Sequence, residues 1–390
     1  MKELENIEFL VGNYEDVVAV KPLPPFAEEV VEELNELSGR LLHDPASRQY
    51  PDVVTFAFFC RRGNLAKLRE QYSSEAIRLG RGLIFHIAPS NVPVNFAYSM
   101  VAGLLAGNTN VVRVSQKPFP QVDLIVKHVR EIGMHRVAVV RYPHESNANE
   151  VFSADCAVRV IWGGDATIAR IREYALPARA FDICFADRYS IAAIRPKAIL
   201  EASDAEIAKL AERFYNDTYL FDQNACSAPH LVCWEIGDGL VNAKGRFWKA
   251  IYNYASAHYQ FQEVMGVDKL TALYRQAVAM DVEHKLMPDN MVVRAKLCSL
   301  PSDIDTFRCA GGYFSECDVL TLDDIAPIIT EKYQTMAYYG FTHEELQSLV
   351  LRKRLTGIDR IVPFGETTAF SLKWDGMNLI ERMSRIVDIL

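Results

Sequence analysis

Residues 83–114, LIFHIAPSNVPVNFAYSMVAGLLAGNTNVVRV, hold two short apolar runs on either side of a longer apolar stretch. The runs cover residues 83–87 and 110–114, and the stretch between them, residues 95–106, has the length and composition of a buried helix. A strand, a helix and a second strand in this order are typical of a βαβ unit, whose two strands are parallel. The segment therefore predicts a parallel sheet with helices on both faces.

The same alternation continues along the chain and sets the predicted domain organisation. Before residue 83, residues 24–42 and 53–72 have helical spacing and predict outer helices. The later apolar runs are residues 137–140, 158–162 and 181–185, with helical stretches at residues 121–132 and 166–174. We expect one domain over residues 1–195 and a second α/β domain over residues 196–362. Residues 363–390 are expected to return to the first domain.

The charge balance limits the classes of partner. The chain has 42 basic and 50 acidic residues, a net charge of −8, and no long block of one sign, which argues against nucleic acid. Proline and asparagine interrupt the most apolar region, residues 82–107, so no membrane span is expected. Residues 1–9 lack the pattern of a secretory signal. These features predict a soluble, cytoplasmic protein.

The cysteines predict free thiols. All eight are scattered, mostly within apolar segments, and this does not resemble the regular spacing of a disulfide framework. Because no pair has the spacing of a zinc site, no metal is expected.

The first candidate functional segment is the loop of Pro89, Ser90 and Asn91, between a predicted strand and a predicted helix. Parallel sheets bind ligands beyond the carboxyl ends of their strands, where this loop is expected. The amide of Asn91 is suited to donate a hydrogen bond to an oxygen that becomes negative when a carbonyl is attacked. The alternative is that the loop only turns the chain and caps the helix.

The second candidate is the strand end that carries Arg113, Ser115 and Gln116. A cation, a hydroxyl and an amide suit the ribose and phosphate groups of a nucleotide. Because Gln116 is neutral, no carboxylate there opposes a 2′-phosphate, and this favours NADP over NAD. The alternative is an ordinary surface cation at the end of a strand.

The third candidate is the pair Gly163 and Gly164, followed by Thr167 in the next predicted helix. Glycines before a helix let a diphosphate approach the backbone and the first helical N–H groups. The segment is not a GxGxxG motif, and a simple tight turn is the alternative.

The fourth candidate is Cys226, in a loop of small residues before a predicted strand. A thiolate attacks an acyl carbonyl readily, and small neighbours leave it accessible. His230, four residues later, is a candidate assistant base or a packing residue. A buried, unreactive cysteine is the alternative, and we apply that interpretation to the other seven.

Taken together, the order and spacing of these segments resemble the aldehyde dehydrogenase superfamily and, within it, acyl-CoA reductases of the LuxC type. The resemblance runs from about residue 80 to residue 376. It implies a Rossmann-type cofactor domain and an α/β catalytic domain that carries the cysteine. The segment around Cys226 is similar to that of the superfamily nucleophile, and Asn91 corresponds to its oxyanion-binding asparagine.

The resemblance also implies roles for the cofactor-binding residues. Arg113 stands where the superfamily usually has a lysine that holds the adenosine side of the cofactor. Glu316 corresponds to a glutamate that holds the nicotinamide ribose. The implied cofactor is NADPH, with NADH as the alternative.

One difference from hydrolytic aldehyde dehydrogenases is informative. Those enzymes carry a glutamate that activates water, whereas residues 185–190 here read FADRYS. Without that base, an acyl-enzyme is expected to accept hydride or react with a thiol rather than with water. Asp187 is a candidate substitute for the missing glutamate.

The resemblance therefore implies NADPH-dependent reduction of an acyl thioester to an aldehyde through a Cys226 acyl-enzyme. The expected partners are an acyl-CoA or an acyl-carrier thioester, an acyl-supplying protein, and further copies of the chain. Three alternatives stay open at this point: an oxidative aldehyde dehydrogenase, a thiol acyltransferase or hydrolase that uses Cys226 with His230, and a noncatalytic subunit.

Overall fold

The computed structural model describes residues 4–72, 74–89, 91–286 and 289–389. The described residues form two compact units. The first comprises Met1–Ala186 together with Phe370–Leu390, and the second comprises Asp187–Ala369. In sequence, the second unit is thus an insertion into the first.

The helices and strands are numbered in chain order. The helices are α1 (Tyr14–Ala19), α2 (Glu28–His43), α3 (Pro51–Phe59), α4 (Arg62–Tyr72), α5 (Asn95–Leu105), α6 (Pro120–Ile132), α7 (Ala148–Asp155), α8 (Asp165–Arg172), α9 (Pro196–Glu201), α10 (Asp204–Thr218), α11 (Leu240–His258), α12 (Glu263–Ala279), α13 (His343–Lys353) and α14 (Leu379–Met383). The strands are β1 (Glu8–Val11), β2 (Arg78–Gly80), β3 (Leu83–Ile87), β4 (Thr109–Arg113), β5 (Val137–Arg141), β6 (Val158–Trp162), β7 (Phe181–Phe185), β8 (Tyr189–Ile194), β9 (Pro229–Glu235), β10 (Val282–Leu286), β11 (Val293–Leu297), β12 (Tyr313–Val319), β13 (Tyr333–Tyr339), β14 (Arg360–Pro363), β15 (Lys373–Trp374), β16 (Met377–Asn378) and β17 (Ser384–Ile386). Short 3₁₀ helices cover Pro45–Gln49, Tyr219–Phe221, Ile304–Thr306 and Leu322–Ile328.

The first unit contains a sheet of order β1-β5-β4-β3-β6-β7. β3 to β7 are parallel, and β1 is antiparallel to β5. From β3 the chain proceeds outward to β4 and β5, then crosses back to β6 on the other side of β3. This is the Rossmann arrangement, in which the crevice between the carboxyl ends of β3 and β6 is the usual ligand site. The predicted parallel sheet is confirmed.

Alternating side chains of this sheet build two cores. Ile84, Val112 and Val139 face one core, which also contains buried residues of α2, α3, α5 and α6. Phe85 and Val111 face the other, with α7 and α8. The near-continuous apolar runs are explained by this burial on both faces. The helical stretch predicted over residues 53–72 is two helices, α3 and α4.

The second unit contains a sheet of order β10-β11-β12-β9-β8-β13-β14. Its strands are parallel except for β10, which pairs antiparallel with β11. Val232 and Trp234 of β9 face a core shared with α10 and α11. Leu231 and Cys233 face the opposite core, which includes α13. Both units are therefore α/β, as predicted.

The limits of the two units differ by a few residues from the domain boundaries expected at 195/196 and 362/363. The second unit begins earlier because β8 pairs with β9 and β13. It ends later because buried Asp217 of α10 accepts hydrogen bonds from the backbone N–H groups of Gly365 and Thr367, at 2.6 and 2.9 Å. Among the described residues, none of the helices is long and apolar enough to cross a membrane.

Candidate active site

In the first unit, the loops after β3 and β6 lie at the same edge of the sheet. Ile87 of β3 pairs with Ile161 of β6, so the loop with Pro89 and Asn91 and the loop with Gly163 follow neighbouring strands. Asn91 is exposed in the bend before α5. It does not cap that helix, because the N-cap residue is Val94. Ser90 lies outside the described residues.

The two glycines after β6 have different surroundings. A side chain at position 163 would come within 3.0 Å of Thr167 Cγ2, so glycine lets the turn pack closely on α8. At position 164, a Cβ atom would meet no atom within 4 Å. Gly164 and Thr167 are both exposed at the start of α8. The first helical N–H groups are thus approachable, and such a helix start favours a phosphate group.

Arg113 ends β4 at the same edge, and its carbonyl accepts a hydrogen bond from Ala88 N–H at 3.1 Å. Its guanidinium lies over the ring of Tyr142, 4.9 Å from the centroid. The Nε atom is buried and has no hydrogen-bond partner among the described residues. Arg113 forms no ion pair within the described chain either, so its charge is free to attract an anion. These observations fit the phosphate or ribose side of a dinucleotide.

Ser115 and Gln116 follow Arg113 but differ in their surroundings. The Ser115 hydroxyl accepts a hydrogen bond from Lys117 N–H at 3.1 Å, and its carbonyl accepts one from Arg141 at 3.3 Å. Gln116 is exposed. The structure therefore gives Ser115 a local turn-forming contact and leaves the Gln116 side chain at the surface.

In the second unit, Cys226 occupies a turn between the 3₁₀ helix at Tyr219–Phe221 and β9. Its side chain is half-buried. Its carbonyl accepts a hydrogen bond from the Ser190 hydroxyl of β8 at 2.6 Å, and the same hydroxyl accepts one from Thr335 N–H at 3.1 Å. Because β8, β9 and β13 are parallel, Cys226 lies at the amino edge of this sheet.

Gln223 fixes this loop, a role that the sequence analysis missed. Its buried side-chain oxygen accepts hydrogen bonds from Gly312 N–H at 2.7 Å and Tyr313 N–H at 3.1 Å. Its side-chain nitrogen donates to the carbonyls of Pro229 and Tyr313, both at 3.1 Å. Asp222 and Gln223 both have left-handed backbone conformations, with φ of 53° and 57°. Non-glycine residues adopt this conformation only when their surroundings hold it.

His230 is buried at the start of β9, where its ring stacks on Tyr189 with a centroid distance of 5.6 Å. Burial lowers the pKa of His230 to about 3. The imidazole is therefore neutral at neutral pH and is a weak proton acceptor. This environment supports the packing interpretation of His230.

Asp187, the candidate water-activating base, precedes β8 at the same sheet edge as Cys226. Its carboxylate forms a close ion pair with Arg308 and a second one with Lys332 at 3.8 Å. The carboxylate of Asp187 is thus engaged by two cations.

The structure places Glu316 inside the second unit, on β12, where it is completely buried. One carboxylate oxygen accepts from Arg294 at 2.5 and 2.8 Å. The other lies 3.3 Å from both Lys244 Nζ and Trp248 Nε1. With both oxygens engaged, Glu316 has a clear role as a buried ion-pair partner. A ribose contact would require these bonds to be broken.

Comparisons with known proteins agree with this architecture. Residues 57–253 match the family described as Acyl-CoA reductase (LuxC). The long-chain acyl-protein thioester reductase of Vibrio harveyi is 23% identical over 320 residues, which cover 79% of this chain and 64% of the relative. The chain thus spans less than two thirds of that relative's length.

Solved structures show the same fold. A variant of Thermus thermophilus 1-pyrroline-5-carboxylate dehydrogenase has a TM-score of 0.69 at 13% identity, covering 97% of this chain and 84% of its own. The Thermus enzyme with bound NAD has a TM-score of 0.66 at 13% identity, and the match covers 95% of this chain and 80% of that enzyme. The aldehyde dehydrogenase-like fold predicted from the sequence is therefore confirmed. With this fold and a family match over half of its length, the chain belongs to the LuxC family of acyl-CoA reductases.

Proposed function

We propose that this protein reduces an acyl thioester to an aldehyde, with Cys226 as the nucleophile that carries the acyl group. The observation that supports this role best is the setting of Cys226. The backbone of its loop is fixed by Gln223 and Ser190, while the thiol itself is half-buried rather than packed in a core. Such a loop presents a nucleophile in one position, and catalysis by positioning requires this.

Most other cysteines are less suited to form a thiolate. Burial raises the pKa of the thiols of Cys60, Cys156 and Cys309. In the buried pair of Cys233 and Cys317, a sulfur–sulfur hydrogen bond and burial raise the pKa of Cys233. Since the thiolate is the attacking form, these residues are poor candidates.

In the proposed reaction, the Cys226 thiolate attacks the carbonyl carbon of the thioester. A carbon–sulfur bond to Cys226 forms, the bond to the carrier sulfur breaks, and the carrier leaves as a thiolate that takes up a proton. The amide of Asn91 is proposed to donate a hydrogen bond to the transient oxyanion. A bound nicotinamide cofactor would supply a hydride to the acyl carbon. The carbon–sulfur bond to Cys226 would then break, which releases the aldehyde and restores the Cys226 thiolate.

The cofactor is proposed to bind the first unit at the crevice beside β3 and β6. Gly163, Gly164 and Thr167 would leave room for the diphosphate at the start of α8. Arg113 would attract a ribose phosphate, since its buried Nε atom has no hydrogen-bond partner among the described residues. The neutral, exposed Gln116 leaves that neighbourhood without a carboxylate of its own, and this supports NADPH over NADH.

The two catalytic alternatives have less support. A thiol acyltransferase or hydrolase that uses His230 requires a base near Cys226, but the buried His230 has a pKa of about 3. An oxidative, hydrolytic enzyme requires a base such as Asp187, whose carboxylate is held by two cations. We propose an acyl-CoA or an acylated protein as donor, following the description of the family and the name of the Vibrio harveyi relative.

The test is the intact mass of the protein after mixing with myristoyl-CoA, with and without NADPH. We expect the wild type to gain one myristoyl group and to lose it as tetradecanal when NADPH is added. Cys226→Ala should gain none and form no aldehyde, while it still binds NADPH. Repeating the reaction with NADH measures the cofactor preference.

Cys298→Ala is the matched control, because Cys298 is exposed on the same unit. It should behave as the wild type in both measurements. Retention of aldehyde formation by Cys226→Ala would contradict the proposal, and so would an acyl adduct on Cys226 that only water removes.

A further inference from the structure

Five arginines of the first unit form a patch around β2 and β17. Arg81 and Arg382 both lie over the ring of Phe181, with 5.0 and 4.9 Å between the guanidinium carbon and the ring centroid. The Nε atom of Arg81 also donates a hydrogen bond to the Arg382 carbonyl at 2.9 Å. This arginine patch comprises Arg78, Arg81, Arg179, Arg382 and Arg385.

Strand pairing brings the other members of the patch close to Arg81. β17 lies antiparallel to β2, with Ile386 opposite Arg78, so Arg385 is held beside β2. The pKa of Arg81 is lowered by burial and by the like charges of Arg382, Arg78, Arg179 and Arg385. The five cations therefore lie within each other's electrostatic field.

Carboxylates do not neutralise the arginine patch. Glu75, Glu381 and Asp388 are exposed on the segments that carry it. Within the part of the chain that the structure describes, none of them forms an ion pair with a patch arginine. Asp182 of β7 is engaged by two arginines outside the patch. An uncompensated cluster of one sign attracts a partner of the opposite sign.

Exposed isoleucines accompany the arginine patch. Ile77, Ile386 and Ile389 are 53%, 59% and 74% exposed. Ile77 directly precedes β2 and Ile386 ends β17, and the N–H of Val387 donates to the Ile77 carbonyl at 2.8 Å. The end of the β2–β17 ribbon thus presents apolar side chains and cations at one place on the surface.

A bilayer with anionic lipids complements both groups of side chains. Arginines bind the phosphate and carboxylate groups of the lipids, and apolar side chains enter the boundary between head groups and acyl chains. Nucleic acid offers phosphates but no apolar layer for the isoleucines. A fluid lipid layer accepts separate apolar side chains without a matching shape, whereas a protein interface requires a complementary surface.

We propose that the arginine patch binds the first unit to the surface of an anionic phospholipid bilayer. The guanidinium groups contact the lipid head groups, and Ile77, Ile386 and Ile389 enter the outermost apolar layer. The proposal goes beyond the thioester chemistry and does not require it, since no residue of the patch belongs to the candidate active site.

Co-sedimentation of the full chain with lipid vesicles tests this binding. With about 30% phosphatidylserine in phosphatidylcholine, the wild type should sediment with the vesicles at low salt. About 0.5 M NaCl should release most of it, because salt screens the charges. Vesicles of phosphatidylcholine alone should bind little of the protein.

Arg382→Gln combined with Arg385→Gln should weaken binding by roughly 20-fold, since each arginine near an anionic surface contributes about fivefold to the affinity. Both side chains are exposed, so the variant should keep the wild-type circular dichroism spectrum. The matched control is Arg48→Gln with Lys67→Gln, which removes two exposed cations of the same unit outside the patch. It should bind as the wild type does.

Ile386→Ser combined with Ile389→Ser tests the insertion of apolar side chains. Binding should weaken by roughly tenfold, because less apolar surface leaves water in the bound state. Val18→Ser is the control, since Val18 is 44% exposed on α1 of the same unit; it should leave binding unchanged.

Three results would overturn the proposal. The first is a wild type that does not sediment with phosphatidylserine vesicles, or an Arg382→Gln, Arg385→Gln variant that binds them as tightly as the wild type. The second is wild-type affinity in the Ile386→Ser, Ile389→Ser variant. The third is a patch that binds poly-glutamate but not the vesicles, which would make it a docking site for an acidic protein.

Discussion

His230 and Cys226 are four residues apart in the chain, but the buried environment of His230 makes its ring a weak proton acceptor. The imidazole is buried against Tyr189, and burial lowers the pKa of His230 to about 3. The sequence shows the short spacing of the two residues, which is why a thiol–imidazole pair was a plausible alternative. It does not show burial, which depends on strands distant in sequence.

The acid stability of the protein should report this burial. In the folded state the pKa of His230 is about 3, below its usual value of 6.5. The contribution of the neutral His230 ring to the free energy of unfolding is therefore fully present above pH 6.5 and decreases as pH falls towards 3. Between pH 7 and pH 5 the expected loss of unfolding free energy is about 2 kcal/mol. Urea unfolding at both pH values measures it.

In His230→Gln this pH-dependent loss should be smaller by that amount. If Cys226 is the nucleophile, its acylation rate should remain within a few-fold of wild type. His343→Gln is the control, because His343 is exposed; it should keep the wild-type pH dependence. An unchanged pH dependence in His230→Gln would show that His230 is not buried as described.

At the scale of the element, the loop of residues 222–228 depends on one buried amide. Gln223 bonds to Pro229 at the start of β9 and to Gly312 and Tyr313 about 90 residues away. The sequence indicated a loop with Cys226 before a strand, and β9 confirms that strand. The anchoring role of Gln223 could not be predicted, because its main partners come from a distant part of the chain.

Gln223→Ala should destabilise the second unit by about 2–4 kcal/mol, because the buried N–H groups of Gly312 and Tyr313 would lose their acceptor. If Cys226 is the nucleophile, acylation of Cys226 should also slow by at least tenfold, as the loop would no longer hold one conformation. Urea unfolding and the rate of the mass gain with myristoyl-CoA measure the two effects.

Leu220→Ala is the control for this loop, since Leu220 is 46% exposed two residues before Asp222. Its effect on both measurements should be small. If Gln223→Ala acylates at the wild-type rate, the loop does not need this anchor for the proposed chemistry.

The strands of the first sheet were the most predictable elements. β3, β6 and β7 have the predicted limits, and β4 is shifted by one residue. Strands buried on both faces leave short apolar runs that the sequence shows directly. The order of the strands could not be predicted in this way, because pairing depends on which crossover each helix makes. The ion-pair cluster of Glu316 could not be predicted from the sequence either.

At the scale of the whole molecule, the chain leaves the first unit at Ala186 and returns to it at Phe370. The returning segment is part of the first core: Leu372, Leu379, Ile380 and Met383 are almost completely buried. Its strand β17 pairs with β2, and the Asn108 amide donates to the Met383 carbonyl at 2.9 Å. The first unit thus needs residues from both ends of the chain.

Leu379→Ala should therefore destabilise the first unit by about 2–5 kcal/mol, the usual range for removing a buried leucine side chain. Thermal unfolding followed by circular dichroism measures this. Ile389→Ala, at a residue that is 74% exposed, should have little effect. A wild-type melting temperature in Leu379→Ala would show that the C-terminal segment is not required for the first core.

The pairing of β2 with β17 joins residues about 300 positions apart, and this has a consequence for biosynthesis. While the ribosome translates the middle of the gene, the nascent chain holds an incomplete first unit whose β2 has no neighbour. The inserted unit, Asp187–Ala369, leaves the exit tunnel before the C-terminal segment and can therefore fold first. The first unit, which consists mostly of N-terminal residues, is consequently the last to complete its folding. Until then, chaperones would encounter it with β2 unpaired.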